Sequence, residues 1–134
     1  MRFMMFVKGD APDEAAAMPD AGTLEAMTDY NEQLVDAGVL IAAEGLRPSS
    51  RGWRTELGPD GARTVVDGPF AASEELVAGF WLLQVESREE MRDWSTRCPA
   101  PVEVREVFEI DDFAAYAPEQ AERERRLAER MRRG

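Results

Sequence analysis

Two carboxylates near predicted strand ends are the best candidates for acid–base catalysis or ligand binding. Asp67 closes a predicted strand and begins the chain-reversing tetrapeptide Asp67-Gly68-Pro69-Phe70, and Glu44 lies near the end of an apolar run. A carboxylate at a strand end can act as a general base or bind a donor group of a ligand. Two carboxylates in one cleft would raise the pKa of one of them and form an acid–base pair. The alternatives are turn hydrogen bonds for Asp67 and surface exposure for Glu44.

Cationic and aromatic side chains would complete such a site. Lys8 ends the first predicted strand and Arg105 lies on the last, so both could neutralise the acids or hold an anionic ligand. Aromatic side chains could line an apolar pocket. The alternatives are ion pairs within the domain for the cations and core packing for the aromatics. The predicted catalytic residues are Asp67 and Glu44, and the predicted ligand-binding residues are Lys8, Tyr30, Phe70, Trp81 and Arg105.

The residues that are missing restrict the chemistry. The chain has no histidine and a single cysteine, Cys98. Ser-His-Asp and Cys-His mechanisms and most zinc sites therefore lose their usual base or ligand. Cys98 lies on the apolar stripe of a predicted helix, which favours a small buried hydrophobe over a nucleophile. We expect no internal disulfide, no metal site and no cofactor.

The charge balance limits the classes of partner. The 134 residues carry a net charge of −11, which repels phosphate groups and anionic lipids. We therefore expect neither nucleic acid nor a membrane among the partners. The apolar run Phe3 to Val7 is too short for a signal sequence or a membrane span, and one cysteine fits a reducing compartment. These features predict a cytoplasmic protein.

The elements that must position these residues follow a regular order. Strands are predicted at 3–7, 39–46, 53–57, 63–66, 78–86 and 102–110, and helices at 19–37 and from a capping box at Ser87 to the residue before Pro99. Residues 9–19 are predicted as a loop, and 71–76 as a helical turn or loop. The order β-α-β, hairpin, β-α-β predicts an α+β fold of the ferredoxin-like split β-α-β type with an inserted hairpin.

The central strands are apolar on both faces. In the strand at 78–86, Phe80 and Leu82 point one way, whereas Trp81, Leu83 and Val85 point the other. Two helices cover only one face of a sheet, and the second face would be an exposed apolar patch. The sequence therefore predicts a homodimer in which sheet packs on sheet, a dimeric α+β barrel.

Two polar residues interrupt these apolar patterns. Asn31 lies on the apolar stripe of the first helix, where it either hydrogen-bonds a neighbour or borders a pocket. Glu106 breaks the alternation of the last strand, which predicts a bulge, an edge position or a pocket acid.

The C-terminal segment differs from the rest in composition. We predict an α+β domain over residues 1–112 and a charged helical extension over 113–134. Residues 118–133 contain six arginines and four glutamates. The extension is either a solvated helix or an arm that packs on the acidic body of a partner subunit.

An ordered set of short motifs resembles the YCII-related superfamily, and more narrowly its DGPF-domain branch. The motifs are Gly38-Val39-Leu40, Ala43-Glu44-Gly45-Leu46, Asp67-Gly68-Pro69-Phe70, Gly79-Phe80-Trp81, Trp94 with Arg97-Cys98-Pro99, and Val102-Glu103-Val104-Arg105. The resemblance spans roughly residues 1 to 110. It implies a dimeric ferredoxin-like α+β barrel with a cleft in each subunit.

The resemblance also frames the function. Better-defined relatives are suspected enzymes with a histidine–aspartate pair; Asp67 matches the aspartate, but this chain has no histidine. We therefore predict a homodimeric cytoplasmic domain that binds an unidentified small molecule, and leave open weak lyase- or isomerase-like acid–base chemistry. The alternative is a non-enzymatic accessory or regulatory protein, for example one linked to sigma-factor regulation, as some bacterial relatives are described.

Overall fold

The computed structural model describes residues 1–9, 20–70 and 76–134. The loop predicted at 9–19 and the segment predicted at 71–76 thus lie mostly outside the described residues. The strands are β1 (Arg2–Gly9), β2 (Leu40–Gly45), β3 (Trp53–Leu57), β4 (Arg63–Asp67), β5 (Leu76–Gln84) and β6 (Val102–Glu106). The helices are α1 (Ala21–Asp36), α2 (Arg88–Arg97), α3 (Ile110–Ala114) and α4 (Pro118–Arg133), with a 3-10 turn at Ser49–Arg51.

Four of the strands form one antiparallel sheet in the order β2-β5-β1-β6. The hairpin β3–β4 forms a separate two-stranded sheet, inserted between β2 and β5. Because α1 follows β1 and α2 follows β5, the chain has the split β-α-β order of a ferredoxin-like domain. The predicted α+β fold with an inserted hairpin is confirmed.

The core lies between one face of the large sheet and the two helices α1 and α2. The sheet contributes alternate residues of β1 and β5, whose side chains point to the same face because the strand period is two. The helices contribute apolar side chains spaced three or four residues apart. The buried cluster contains Phe3, Met5, Tyr30, Leu34, Val39, Trp81, Leu83, Val85, Met91 and Trp94.

Two buried polar groups tie the helices to each other and to the sheet. The Tyr30 hydroxyl donates a hydrogen bond of 2.7 Å to the main-chain carbonyl of Trp94, which joins α1 to α2. The Trp81 indole N–H donates to the Asn31 side-chain oxygen at 2.6 Å, which joins β5 to α1. Asn31 was predicted either to hydrogen-bond a neighbour or to border a pocket, and the structure shows the hydrogen bond.

The helix ends follow from local hydrogen bonds. The Asp20 carboxylate accepts a hydrogen bond from the main-chain N–H of Thr23 and begins α1, and this bond lowers the pKa of Asp20. Ser87 begins α2 by accepting from the N–H of Glu90, as its capping box predicts. Gly38 follows α1 with φ of 73°, a conformation that favours glycine.

The predicted strand at 102–110 is too long. β6 ends at Glu106, and Glu109 caps α3, which begins at Ile110. The main-chain N–H of Glu109 donates to the Asp112 carboxylate at 2.7 Å, so local capping overrides the alternating pattern. Phe108 is consequently 78% exposed instead of facing the core.

Glu106 lies at the end of β6, the edge strand of the sheet, and is paired in register with Phe3. Its carboxylate accepts a hydrogen bond of 2.6 Å from the Arg88 guanidinium at the start of α2. Among the three alternatives for Glu106, the edge position is the one found.

Removing the Tyr30 hydroxyl tests the hydrogen bond between α1 and α2. Tyr30→Phe leaves the buried Trp94 carbonyl without its donor, so we expect the free energy of unfolding to fall by about 1–2 kcal/mol. Urea denaturation measures this change. The control is Tyr116→Phe, because Tyr116 is 79% exposed and we expect less than about 0.5 kcal/mol there. Equal effects of both substitutions would contradict the structural role of Tyr30.

Candidate functional site

The face of the large sheet opposite the helices carries an apolar centre. The register aligns two rows of side chains across all four strands. One row is Glu44, Phe80, Phe6 and Glu103, and the other is Ala42, Leu82, Met4 and Arg105. We call these eight residues the open face. Its four central side chains, Phe6, Met4, Phe80 and Leu82, remain half-buried rather than buried in the single chain.

The two edges of the open face carry charges of different kinds. On β6, the Glu103 carboxylate lies 3.5 Å from the Lys8 ammonium and 3.6 Å from the Arg105 guanidinium. On β2, at the opposite edge, Glu44 is exposed and forms no ion pair with any other described residue. Exposed ion pairs of this length contribute little stability, so Lys8 and Arg105 can exchange Glu103 for a ligand at small cost.

The tetrapeptide that begins at Asp67 forms a tight corner between the hairpin and the loop after β2. The Gly68 N–H donates to the Gly52 carbonyl at 3.0 Å, and the Phe70 N–H donates to the Ser49 hydroxyl at 3.0 Å. A Cβ on Gly68 would overlap the main-chain carbonyl of Ser49. Glycine is therefore required here because two main chains approach closely.

Asp67 ends β4, as predicted, and its carboxylate is exposed. It is paired in register with Trp53, so the two side chains share a face of the hairpin. Trp53 is 66% exposed. On the other side of the corner, the Arg54 guanidinium stacks over the Phe70 ring at 3.9 Å from its centroid.

The seven predicted site residues therefore fall into three groups. Tyr30 and Trp81 lie in the core, where each donates a hydrogen bond. Glu44, Lys8 and Arg105 lie at the edges of the open face. Asp67 and Phe70 lie at the corner beside the hairpin. The described residues contain no hydrogen bond or ion pair between Asp67 and Glu44, although the loop from Leu46 to Gly52 connects their two strands.

Three neighbours of these residues were not predicted. Glu103 holds both cations, Ser49 accepts the hydrogen bond from Phe70, and Arg54 stacks on the Phe70 ring. The sequence signal for Glu103 was its alternation with Val102 and Val104 on the last strand. Ser49 and Arg54 carry no such signal, because their contacts depend on how the loop after β2 folds over the tetrapeptide.

The thiol, the acidic side chains and the surface depressions of the described residues were also considered as sites. Burial raises the pKa of the half-buried Cys98 thiol, which disfavours the thiolate that a nucleophile or a metal ligand requires. Across residues 1–9, 20–70 and 76–134, no group of three or more acidic, histidine or cysteine side chains is placed to hold a metal ion. A shallow depression on α4 is lined by Pro118, Glu119, Glu122, Arg123 and Arg126, and includes none of the predicted site residues.

Comparison with known proteins identifies the family. The sequence model of the YCII-related domain matches residues 1–114. The chain belongs to this family. The match confirms the resemblance drawn from the ordered motifs; assignment to the DGPF branch, and a domain boundary after residue 112, remain predictions.

Other comparisons are more distant. No protein with a curated description is significantly similar to this YCII-related chain. Among solved structures, it is similar to the 5-chloro-2-hydroxyhydroquinone dehydrochlorinase of Burkholderia phenoliruptrix AC1100 in complex with 2,5-dihydroxybenzoquinone. The identity is 14% and the TM-score 0.44, over 81% of this chain and 94% of that one. A likeness this distant says nothing about the ligand of this chain.

One further property concerns membranes. No helix in the described part of the chain combines the length and the apolar character that crossing a bilayer requires.

Substituting Gly68 tests the corner that holds Asp67. In Gly68→Ala the added methyl group overlaps the Ser49 carbonyl, so the loop or the hairpin must move. We expect a loss of about 1–3 kcal/mol in the free energy of unfolding, measured by urea denaturation. Gly45→Ala is the matched control, since a Cβ there meets open space. A Gly68→Ala variant as stable as the control would show that the close approach does not exist.

Proposed function

We propose that this YCII-related protein is a homodimeric, cytoplasmic domain that binds a small molecule, with carboxylates as its acid–base groups. The observation that carries the proposal is the open face, an apolar centre bounded by Glu44 on one edge and by Lys8, Glu103 and Arg105 on the other. An apolar surface with a few charged groups at its border is typical of ligand sites and of subunit interfaces.

The open face supports a dimer through its apolar side chains and its charges. Phe6, Phe80 and Leu82 would leave water completely if a second sheet packed on them. Full burial of such a side chain stabilises by about 1.5–3 kcal/mol, and because these three are already half-buried, each would contribute roughly half of that. A two-fold axis along the strands places β2 of one subunit opposite β6 of the other and leaves positions along the strands unchanged. Glu44 then lies at the level of the partner subunit's Glu103. Because Lys8 and Arg105 flank that carboxylate, the cluster that Glu44 faces has a net charge of +1.

The chemistry left to this chain is that of carboxylates, because it has no histidine. Asp67 and Glu44 are exposed at strand ends, and within the described residues neither is held by a side-chain hydrogen bond or an ion pair. An unengaged carboxylate can accept a proton from a carbon acid or bind a donor group of a ligand. Trp53 on the face of Asp67 supplies an apolar surface against which a ring or chain can pack. The reaction that we propose for these carboxylates is a weak proton transfer of the lyase or isomerase type.

A thermal-shift screen with pooled metabolites tests the ligand site. A ligand at 100 times its Kd should stabilise the protein by about 2.7 kcal/mol, which raises Tm by several degrees. We expect Asp67→Asn to abolish the shift. The control is Asp60→Asn in the same hairpin, because an asparagine oxygen can still accept the hydrogen bond from the Ala62 N–H. A shift that survives in Asp67→Asn would remove Asp67 from the site.

Introducing a charge at the centre of the open face tests whether two subunits pack through this face. In Leu82→Glu a carboxylate replaces a central apolar side chain, so sheet-on-sheet packing would bury an unpaired charge. We expect light scattering to give the mass of a dimer for the natural chain and of a monomer for Leu82→Glu. Leu57→Glu, at a hairpin position that is 71% exposed, is the control and should remain dimeric. A dimeric Leu82→Glu variant would exclude the open face as the interface.

A second candidate function is that of a non-enzymatic accessory or regulatory protein. It is favoured by the exposure of Asp67 and Glu44, because catalytic carboxylates usually lie in sites that exclude water. This candidate predicts no shift from any metabolite pool, together with a partner protein that is retained in pull-downs by the full chain and lost when residues 118–134 are deleted. A ligand shift that depends on Asp67 would argue against it.

A further inference from the structure

Helix α4 presents a row of arginines on the side opposite its packed surface. Ala121 is fully buried and Ala128 half-buried, which marks the side of α4 that contacts the rest of the chain. Arg123, Arg126 and Arg130 recur at helical spacing about half a turn away from these alanines, and all three are exposed. None of the three forms an ion pair with a described residue. Glu119 and Glu122 lie near the start of the row, so its positive charge is concentrated toward the C-terminus.

Apolar side chains border the arginine row. Leu127 is 46% and Met131 is 81% exposed, and they lie one turn apart. Exposing a leucine and a methionine to water beside unpaired arginines does not stabilise a solvated helix. The combination of an apolar border and unpaired cations is typical of a helix face that contacts another surface.

Helix α1 presents the opposite charge in a matching arrangement. Its four acidic residues, Glu25, Asp29, Glu32 and Asp36, recur at helical spacing on the exposed side, opposite buried Tyr30 and Leu34, and the helix contains no lysine or arginine. None of the four forms an ion pair within the described chain. This acidic row is also bordered by apolar side chains, since Leu24 is 46% and Val35 is 61% exposed.

We propose that the arginine row of α4 docks on the acidic row of α1 in a second copy of this chain. Both helices contain 16 residues and are therefore about 24 Å long. The charges are complementary, each row lacks partners in its own described chain, and the apolar borders of both helices can meet. Charged rows of this kind fix the orientation and the partner of an interface more than they add affinity.

A second copy is the occupant that the charges favour. Residues 118–133 carry a net charge of +2, whereas the whole chain carries −11, so the remainder is strongly acidic. A two-fold axis makes the contact twice, α4 of each copy on α1 of the other, which doubles a modest interaction. Within the described chain no ion pair joins α4 to α1. The inference rests on the homodimer of the proposed function and adds a second interface element to it.

Cross-linking between two singly substituted chains tests this contact. Both carry Cys98→Ser; one also carries Asp29→Cys and the other Arg126→Cys, and the mixture is treated with a short bismaleimide. Only a contact between copies can link the two chains. We expect a covalent dimer from this mixture and at least about fivefold less when Glu56→Cys, an exposed acidic position on the hairpin, replaces Asp29→Cys. Equal yields, or no product, would overturn the docking.

Charge exchange supplies a second measurement on the full chain. Arg126→Glu and Asp29→Arg each place like charges together at two symmetric contacts, so we expect each to raise the dimer Kd about tenfold in sedimentation velocity at low salt. The double variant restores opposite charges and should return the Kd to within about threefold of the natural value. Additive rather than compensating effects would overturn the pairing of α1 with α4.

Failure of the docking is distinguishable from failure of the proposed function. If the natural chain is a monomer by light scattering, both the proposed homodimer and the docking of α4 on α1 are wrong. If it is a dimer whose Kd is unchanged by Arg126→Glu, only the docking is wrong. Two other occupants of α4 would also overturn it. They are anionic phosphatidylserine vesicles that bind the natural chain but not Arg126→Glu, and a partner protein lost with Arg126→Glu while the dimer persists.

Discussion

The structure depends on one constraint, a four-stranded antiparallel sheet that is apolar on both faces but has helices on only one. On the helix side, α1 and α2 cover Phe3, Met5 and Leu83, and the polar groups of Tyr30 and Asn31 are satisfied there. On the other side, the central side chains Met4, Phe6, Phe80 and Leu82 stay partly exposed in the described chain. An apolar face of this kind would lower its free energy by packing on another apolar surface, which is the physical basis of the proposed dimer.

The same constraint explains why the charged residues lie at the edges of the sheet. Glu44 and Arg105 lie on the two edge strands, β2 and β6, where they would remain solvated if a second sheet covered the centre of the face. The corner built on Gly68 holds the hairpin against the loop after β2 and thereby fixes where Asp67 leaves its strand. The tetrapeptide thus has a structural role through its glycine, and the side chain of its aspartate is exposed.

Most of the fold could be predicted from sequence because its signals are local. The capping box at Ser87, the alternation in β5 and the glycine after α1 each act over a few residues. The end of β6 could not be predicted, because Phe108 and Ile110 continue an alternating pattern while the capping at Glu109 starts a helix. The candidate site was harder to predict from the sequence than the fold. Contacts such as Glu103 with Lys8 join residues that are distant in sequence. The aromatic ring of Trp81 is equally compatible with a ligand pocket and with the core, where the structure places it.

The central claim is that the open face is an interface between two copies. Isotope-filtered NMR on a mixture of labelled and unlabelled chains tests it directly, because only contacts between copies give cross-peaks. We predict intermolecular cross-peaks from the methyl groups of Met4 and Leu82. A protein that is dimeric by mass but shows these methyl groups in contact only with water would contradict it.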